Sequence, residues 1–162
     1  MKSIVILIAL LASVFAGTTQ AATRVQVPVV PVGASEALAD ANALAALHGD
    51  ARVMQVSGTS MLPFFGSGSL LVVKAVKATQ LSKGMVVVYR NNFGETVAHR
   101  LVNRTASGWI AQGYNNSAAD STLVTEANLR GVVYGTVHTA GLAVVASATR
   151  TVPEVVLAAP AR

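Results

Sequence analysis

The sequence contains no cysteine, few charged residues and little aromatic surface. Without cysteine the protein has no disulfide, no catalytic thiol and no Cys-based metal site, whichever compartment it occupies. Only 12% of the 162 residues are charged, and the net charge of +5 is spread along the chain without a dense Lys/Arg cluster. With Trp109 as the one tryptophan, this distribution argues against a nucleic-acid partner. An anionic membrane surface is a better candidate partner for the mild positive charge.

The N-terminus combines a basic start with a long uncharged run. Met1-Lys2-Ser3 precedes the largely apolar residues 4–17, and small residues end the segment near Ala21. This order matches a secretory signal cleaved after Ala21, with Thr19 as the other small residue near the cut. The run is shorter than the roughly 20 apolar residues of a membrane span, so residues 1–21 are a cleaved signal or a short retained anchor. Both interpretations place the folded part outside the cytoplasm: periplasmic, secreted or anchored to the membrane.

Residues 22–50 connect this segment to the rest of the chain. The first half contains two prolines and no helical period, which is typical of an extended linker. The stretch SEALADANALAALHG then predicts one short helix, with Ser35 as its N-cap and Gly49 as its stop.

From residue 51 to residue 140 the pattern changes to β-branched runs between turn residues. Short strands at close spacing, without helices between them, predict a mainly β domain, either a barrel or a folded sheet. Residues 141–162 form a C-terminal tail whose apolar stretch is too short to span a membrane. The predicted strands are Arg52–Val56, Leu70–Val76, Met85–Tyr89, Thr96–Asn103, Trp109–Gln112 and Gly131–His138.

The stretch VSGTSMLPFF, residues 56–65, contains a candidate nucleophile. Ser60 follows a predicted strand and Gly58, a residue type that lets the backbone come close to a bound carbonyl group. An ordinary solvated or turn-capping loop serine is the alternative. A serine hydroxyl is a poor nucleophile near neutral pH, so the catalytic interpretation requires a base elsewhere in the chain.

The three histidines differ in their sequence surroundings. His48 ends the predicted helix, where it would complement the helix dipole, and His138 closes the last predicted strand with no acidic residue near it. His99 lies in TVAHRLV, where a strand would hold the imidazole as a base or as a core histidine bonded to a backbone carbonyl. Asp120 is the only aspartate after Ser60, and it either orients a histidine or makes a simple Asx turn in the loop QGYNNSAADS.

Five motifs, taken in order, resemble the signal peptidase superfamily of serine proteases (families S24 and S26). They are SGTSMLP, GSGSLLVV, KGMVVVY, VAHRLV and QGYNNSAAD, and the resemblance runs from about Val53 to His138. Many bacterial signal peptidases and the repressor-type self-cleaving proteases have a lysine at the position of His99. The archaeal and endoplasmic-reticulum type of signal peptidase has a histidine followed by an arginine there, as in His99-Arg100. The resemblance is therefore greatest to that group.

The resemblance implies a mostly β catalytic core that binds an extended peptide by strand addition and cuts it after small side chains. It implies Ser60 as nucleophile, His99 as general base and Asp120 as the orienting acid, with no metal or cofactor. A histidine suits this role near neutral pH, because its unperturbed pKa is about 6.5. The backbone N–H of Ser60, with help near Gly58, is expected to hold the oxyanion. Met61 and the two phenylalanines, Phe64 and Phe65, are candidates for the substrate groove or for a membrane-facing surface.

Four positions depart from the pattern of this superfamily. Ser69 and Met85 stand where relatives have turn aspartates, and Gly58 stands where many have a serine. Tyr114 stands where the group has its first loop aspartate, which is a catalytic candidate.

Two hypotheses remain open on this basis. One is an active extracytoplasmic serine endopeptidase of signal-peptidase type, and the other is a degenerate relative that binds extended peptides without cutting them. Lys74 or Lys77 stays open as an alternative base, although both come earlier in the chain than the resemblance implies. A cytoplasmic repressor-type autoprotease is disfavoured by the N-terminal export segment.

Overall fold

The computed structural model describes residues 32–139 and 155–157, and over this part of the chain it contains one helix and seven strands. The predicted export segment, the first part of the linker and most of the predicted tail lie outside the described residues. The elements are α1 (Ala34–Ala46), β1 (Ala51–Ser57), β2 (Leu70–Lys74), a 3₁₀ turn (Ala78–Gln80), β3 (Val86–Arg90), β4 (Thr96–Thr105), β5 (Gly108–Gln112), β6 (Leu129–Val137) and β7 (Val155–Leu157).

The strands form one sheet in the order β5-β4-β3-β6-β2-β1-β7. The first six pair antiparallel, and β7 adds to β1 as a parallel edge strand. The prediction of a mainly β fold with one short N-terminal helix is confirmed. Each of the six predicted strands is present, with ends that differ by one or two residues in most cases, whereas β7 was not predicted.

Helix α1 packs on the sheet through a stripe of small residues. Ala37, Ala41 and Ala45 recur every four residues and are buried, so they lie on one helix face. That face packs in one cluster with Leu70 and Val72 of β2. Small side chains let the helix axis approach the sheet closely, and the rest of the helix surface is mostly exposed.

The predicted ends of the helix were wrong. Gly33 is the N-cap and has extended backbone, so the helix begins before Ser35 and no side-chain cap is made. The helix ends at Ala46, with Leu47 as C-cap, three residues before Gly49. His48 consequently lies beyond the helix, where its ring meets that of Tyr134 edge-on at 4.1 Å.

The central residues of β3, residues 87–89, and residues 97–99 of β4 are buried on both faces of the sheet. Val88 and Ala98 face one cluster, which also contains Met61 and Phe65 of the loop after β1. Val87, Tyr89 and Val97 face the opposite cluster, beneath Trp109 of β5 and other residues of the far sheet edge. A polar side chain on either face of these strands is therefore placed in an apolar, water-poor environment. Among the residues described, no helix is both long and apolar enough to cross a membrane.

Candidate active site

His99 is held on β4 by the pairing of that strand with β3. It lies directly opposite Val87 of β3, and the next pair on the same face is Tyr89 with Val97. Because side chains alternate along a strand, Tyr89 and His99 project from the same face as diagonal neighbours. The His99 side chain is 1% exposed, so its ring nitrogens find partners inside the protein rather than in water.

Ser60 meets the His99 ring from one side. Its Oγ lies 2.9 Å from His99 Nε2, and the residue is fully buried. The chain reaches this point through Gly58, which has φ of 113°, a conformation that favours glycine. Ser67 closes the turn, since its N–H donates to the Gly58 carbonyl at 2.9 Å while its Oγ accepts from the Gly58 N–H at 2.8 Å.

Residues 113–116 hold the backbone of the serine through contacts with the carbonyl groups of Thr59 and Ser60. The N–H of Asn115 donates to the Ser60 carbonyl at 2.8 Å, and the Asn115 side chain donates to the Thr59 carbonyl at 3.3 Å. At Gly113 the two segments touch so closely that a Cβ would lie 2.6 Å from the Ser60 carbonyl oxygen. Only glycine fits at that contact without displacing the serine or its neighbours.

Asp120 meets the same imidazole from the other side. Its Oδ2 lies 2.6 Å from His99 Nδ1, and its side chain is 17% exposed. The loop that carries it is held by the N–H of Asp120, which donates to the Ala111 carbonyl at 2.8 Å, and by a two-way backbone bridge between Trp109 and Val124. Ser60, His99 and Asp120 thus form a continuous chain of hydrogen-bonded side chains.

Tyr89 is a fourth member of this chain that the sequence analysis missed. Its hydroxyl donates to Asp120 Oδ2 at 2.5 Å, and its ring is fully buried. Burial, and then the hydrogen bond to Asp120 and its negative charge, raise the pKa of the phenol far above its ordinary value near 10. Tyr89 therefore stays protonated at any physiological pH and acts as a constant donor to the carboxylate.

The hydrogen bonds around Asp120 define the orientation of the imidazole. A carboxylate oxygen only accepts, so His99 Nδ1 carries the hydrogen that points at Oδ2. In neutral histidine the other nitrogen, Nε2, is then an acceptor for the Ser60 hydroxyl. This tautomer is the one in which a serine proton can be taken up.

A cleft of about 580 Å³ opens on the acid side of the imidazole. His99 and Asp120 line it together with Tyr89, the exposed Phe93 and residues 116–122 of the aspartate loop, whereas Ser60 does not. The cleft therefore gives access to the carboxylate rather than to the nucleophile, and its position does not mark where a scissile bond would meet Ser60 Oγ.

Gly58 and Met61 flank Ser60 in the chain but are not positioned for the roles predicted for them, oxyanion donor and groove residue. The Gly58 N–H is already bonded to Ser67, and Met61 is fully buried among apolar core residues. The N–H of Ser60 itself, by contrast, has no hydrogen-bond acceptor within the portion of the chain that is described. The side chains of Ser67 and Asn115 and the absence of a side chain at Gly113 were also missed, because their roles depend on loop contacts rather than on a sequence pattern.

Tyr114 is not part of the hydrogen-bonded chain that contains His99. Its ring lies 4.2 Å from that of Phe64, and the guanidinium of Arg100 stacks on it at 4.2 Å. The aromatic face thus partners the cation that follows the histidine. Asp120 is the carboxylate at the imidazole. Within residues 32–139 no group of three His, Cys, Asp or Glu side chains is placed to hold a metal ion.

The alternative lysine bases lie elsewhere on the sheet. Lys74 ends β2 opposite Val132 of β6, and Lys77 is the N-cap of the 3₁₀ turn. Neither makes a hydrogen bond to Ser60, whose Oγ is bonded to the histidine.

Comparison with known proteins agrees with the order of the motifs. The family model described as Peptidase S24-like matches residues 13–134. Signal peptidase I W of Bacillus subtilis (strain 168) is 38% identical over 76 residues, which is 44% of this chain and 40% of that protein. The match thus spans less than half the length of this relative. No solved structure matches the present chain. Since the family model covers more than half of the chain, the protein belongs to the Peptidase S24-like family.

Proposed function

We propose that the protein is a serine endopeptidase of signal-peptidase type, with Ser60 as nucleophile, His99 as general base and Asp120 as the acid that orients the base. The observation that carries the proposal is the unbroken chain from Ser60 Oγ through both ring nitrogens of His99 to Asp120 Oδ2. A nucleophile bonded to a base, which a third group orients in turn, is the geometry expected for an activated serine.

The proposed reaction begins when His99 Nε2 takes the Ser60 proton as Oγ attacks the carbonyl carbon of the scissile peptide bond. The imidazolium is stabilised by Asp120 and then gives the proton to the nitrogen of the leaving amine, which departs as the C–N bond breaks. Water, deprotonated by His99, then attacks the acyl ester on Ser60. As the ester C–O bond breaks, His99 returns that proton to Ser60 Oγ, and the new carboxyl end of the substrate is released. Each proton is therefore returned, and the protein is regenerated.

The proposed oxyanion donor is the backbone N–H of Ser60, which is not bonded to any described residue. The Gly58 N–H already donates to Ser67 Oγ. Gly58 is therefore proposed to shape the turn rather than to donate to the oxyanion. The buried surroundings strengthen a single backbone donor, since electrostatic interactions are larger where water is excluded.

Tyr89 is proposed as a positioning residue. It makes no hydrogen bond to the nucleophile or to the base, and it acts by holding Asp120 Oδ2 in the place where that oxygen also accepts from His99 Nδ1. Asp120 Oδ2 thus accepts two hydrogen bonds, one from Tyr89 and one from His99.

The proposed substrate is an extended segment of an exported or membrane-bound protein, cut after a small residue. Support comes from the similarity to Signal peptidase I W, from the N-terminal sequence and from the net positive charge, which favours an anionic membrane surface. We propose an extracytoplasmic location on the same grounds.

A peptide-binding protein that no longer cuts is the second candidate. The observation that favours it is the complete burial of Ser60, together with the aromatic residue Tyr114 at the position of a family aspartate. Such a protein would still bind a peptide at the edge of the sheet but would not cleave it.

A cleavage assay separates the two candidates. The full-length chain in detergent, and its Ser60→Ala variant, are incubated with a set of signal-peptide-like substrates, and the products are identified by mass spectrometry. We expect cuts after small residues by the parent protein and none by the variant. Absence of cleavage by both folded proteins, with retained peptide binding, would favour the non-cutting binder.

A further inference from the structure

Strand β7 lies against the strand that leads to Ser60. Val155–Leu157 pair in parallel with Gln55–Ser57, the last three residues of β1, and Ser60 follows only three residues later. The same strand contacts β4, which carries His99. It is therefore in contact both with the strand that leads to the candidate nucleophile and with the strand that carries the candidate base.

The hydrogen-bonding groups of β1 indicate how β7 is held. The N–H of Val56 donates to the Ser69 carbonyl at 2.9 Å, and its carbonyl accepts from Gly68 at 3.1 Å, so Val56 faces the side of β2. The main-chain groups of its neighbours, Gln55 and Ser57, point to the opposite edge. In a parallel pair the residue opposite Val56 bonds to both of these neighbours, and that residue is Val156.

We propose that Val155–Leu157 are an intramolecular ligand of the peptide-binding edge, so that the C-terminal strand holds in cis the place of a substrate strand. The inference rests on the proposed function, because a peptidase with Ser60 as nucleophile would bind its substrate at the edge of β1 beside Ser60. Main-chain pairing to Gln55 and Ser57 supplies the affinity, as in recognition by strand addition. A substrate gains access when this short strand leaves, which regulates the site by competition rather than by a change in its chemistry.

The length and position of β7 suit a displaceable ligand. It contributes three residues at the edge of the sheet and, among the strands that the structure describes, pairs with β1 alone. A three-residue parallel pairing has few hydrogen bonds, so a longer peptide strand is able to replace it.

The test uses two proline variants of the full-length chain. Val156→Pro removes the N–H that faces Gln55, whereas Val155→Pro alters the first residue of the strand, whose N–H faces away from β1. Hydrogen exchange is measured on fragments that contain residues 55–57, and a peptide of residues 151–162, TVPEVVLAAPAR, is added in trans.

We expect the Ser57 amide to exchange at least about tenfold faster in Val156→Pro than in the parent or in Val155→Pro, and added peptide to restore the protection. Amides of β3 and β4 serve as the internal reference and should not change. Equal exchange at residues 55–57 in all three proteins, or a peptide that restores nothing, would overturn the inference.

The same variants separate this inference from the proposed function. In the cleavage assay, Val156→Pro should have a KM for added peptide several-fold below that of the parent at similar kcat, because the competitor is weakened. A change in exchange without any cleavage would refute the peptidase while leaving the intramolecular ligand in place. Ser60-dependent cleavage with identical KM and identical exchange would leave the peptidase in place and refute the ligand.

Discussion

Ser60 and Asp120 meet the His99 ring from opposite sides and are held in different ways. Ser60 is completely buried, and its position is set by main-chain contacts with residues 113–116. Asp120 is partly exposed at a cleft, and its carboxylate is positioned by the side chains of His99 and Tyr89. Substitutions that move the backbone near residues 113–116 should therefore displace mainly Ser60. Substitutions that remove a side-chain partner should displace mainly the carboxylate of Asp120.

The largest of these effects is expected from Asp120→Asn. The amide keeps the shape but offers an N–H or a weaker acceptor to His99 Nδ1, so the ring no longer keeps its acceptor nitrogen toward Ser60. We expect kcat to fall by about 10³–10⁴-fold with little change in KM. The measurement is peptide cleavage, with the exposed Asp50→Asn as the matched control. A loss below tenfold would mean that Asp120 does not orient the base.

Gly113→Ala tests the backbone side of the comparison. A Cβ at this position would lie 2.6 Å from the Ser60 carbonyl, so the serine loop has to move although no catalytic side chain is changed. We expect kcat to fall by about 10²-fold, because a small displacement of the nucleophile is costly, and stability to fall by about 1–3 kcal/mol.

The matched control for this variant is Gly49→Ala, since a Cβ at Gly49 meets no atom within 4 Å. Thermal unfolding and cleavage are measured on both. If Gly113→Ala retains the activity of the control, the close contact does not position Ser60.

Tyr89→Phe should have a smaller effect on turnover. The variant removes one donor to Asp120 Oδ2 and leaves the direct bond from His99 in place. We expect a fall in kcat of about tenfold at unchanged KM. The exposed Tyr134→Phe is the control. A fall as large as that of Asp120→Asn would show that the phenol does more than position the acid.

The Tyr89 phenol should also make the stability of the parent protein fall at high pH, and Tyr89→Phe should reduce this fall. Folding raises the pKa of this phenol above its unfolded value of about 10, so above that pH the unfolded chain loses the proton first. The contribution of this phenol to the stability of the parent is therefore complete below about pH 10 and is lost as pH rises beyond it. Chemical unfolding between pH 8 and 11 should show a shallower fall for Tyr89→Phe, and equal slopes would contradict the burial of an intact phenol.

Much of this arrangement follows from local sequence patterns. Strand β4 could be predicted from TVAHRLV because its apolar residues flank the histidine, and such a strand directs the ring to one face. Ser60 and Asp120 were recognised as partners of His99 through the order of the motifs rather than through their own surroundings, which resemble ordinary loops.

The remaining features depend on contacts between distant segments. Tyr89 lies in the apolar run VVVYR, and only the β3–β4 register brings its hydroxyl toward Asp120. Strand β7 has three residues and pairs with a segment about 100 positions earlier in the chain, so no local period indicates it. The predicted start of the helix was wrong because Gly33 takes the N-cap position, although serine, as at Ser35, is the more common residue type there.

The central claim is that Ser60 is a nucleophile activated by His99, and covalent labelling tests it most directly. The full-length chain, the Val156→Pro variant and the His99→Ala variant of each are treated with an activated phosphonate that reacts with serine nucleophiles, and fragments are analysed by mass spectrometry. Val156→Pro is included so that an occupied β1 edge does not block the reagent. We predict one adduct on Ser60 in both proteins with His99, and a labelling rate at least about 10³-fold lower in the folded His99→Ala proteins. Labelling of another serine, or of Ser60 at the same rate without His99, would contradict the account.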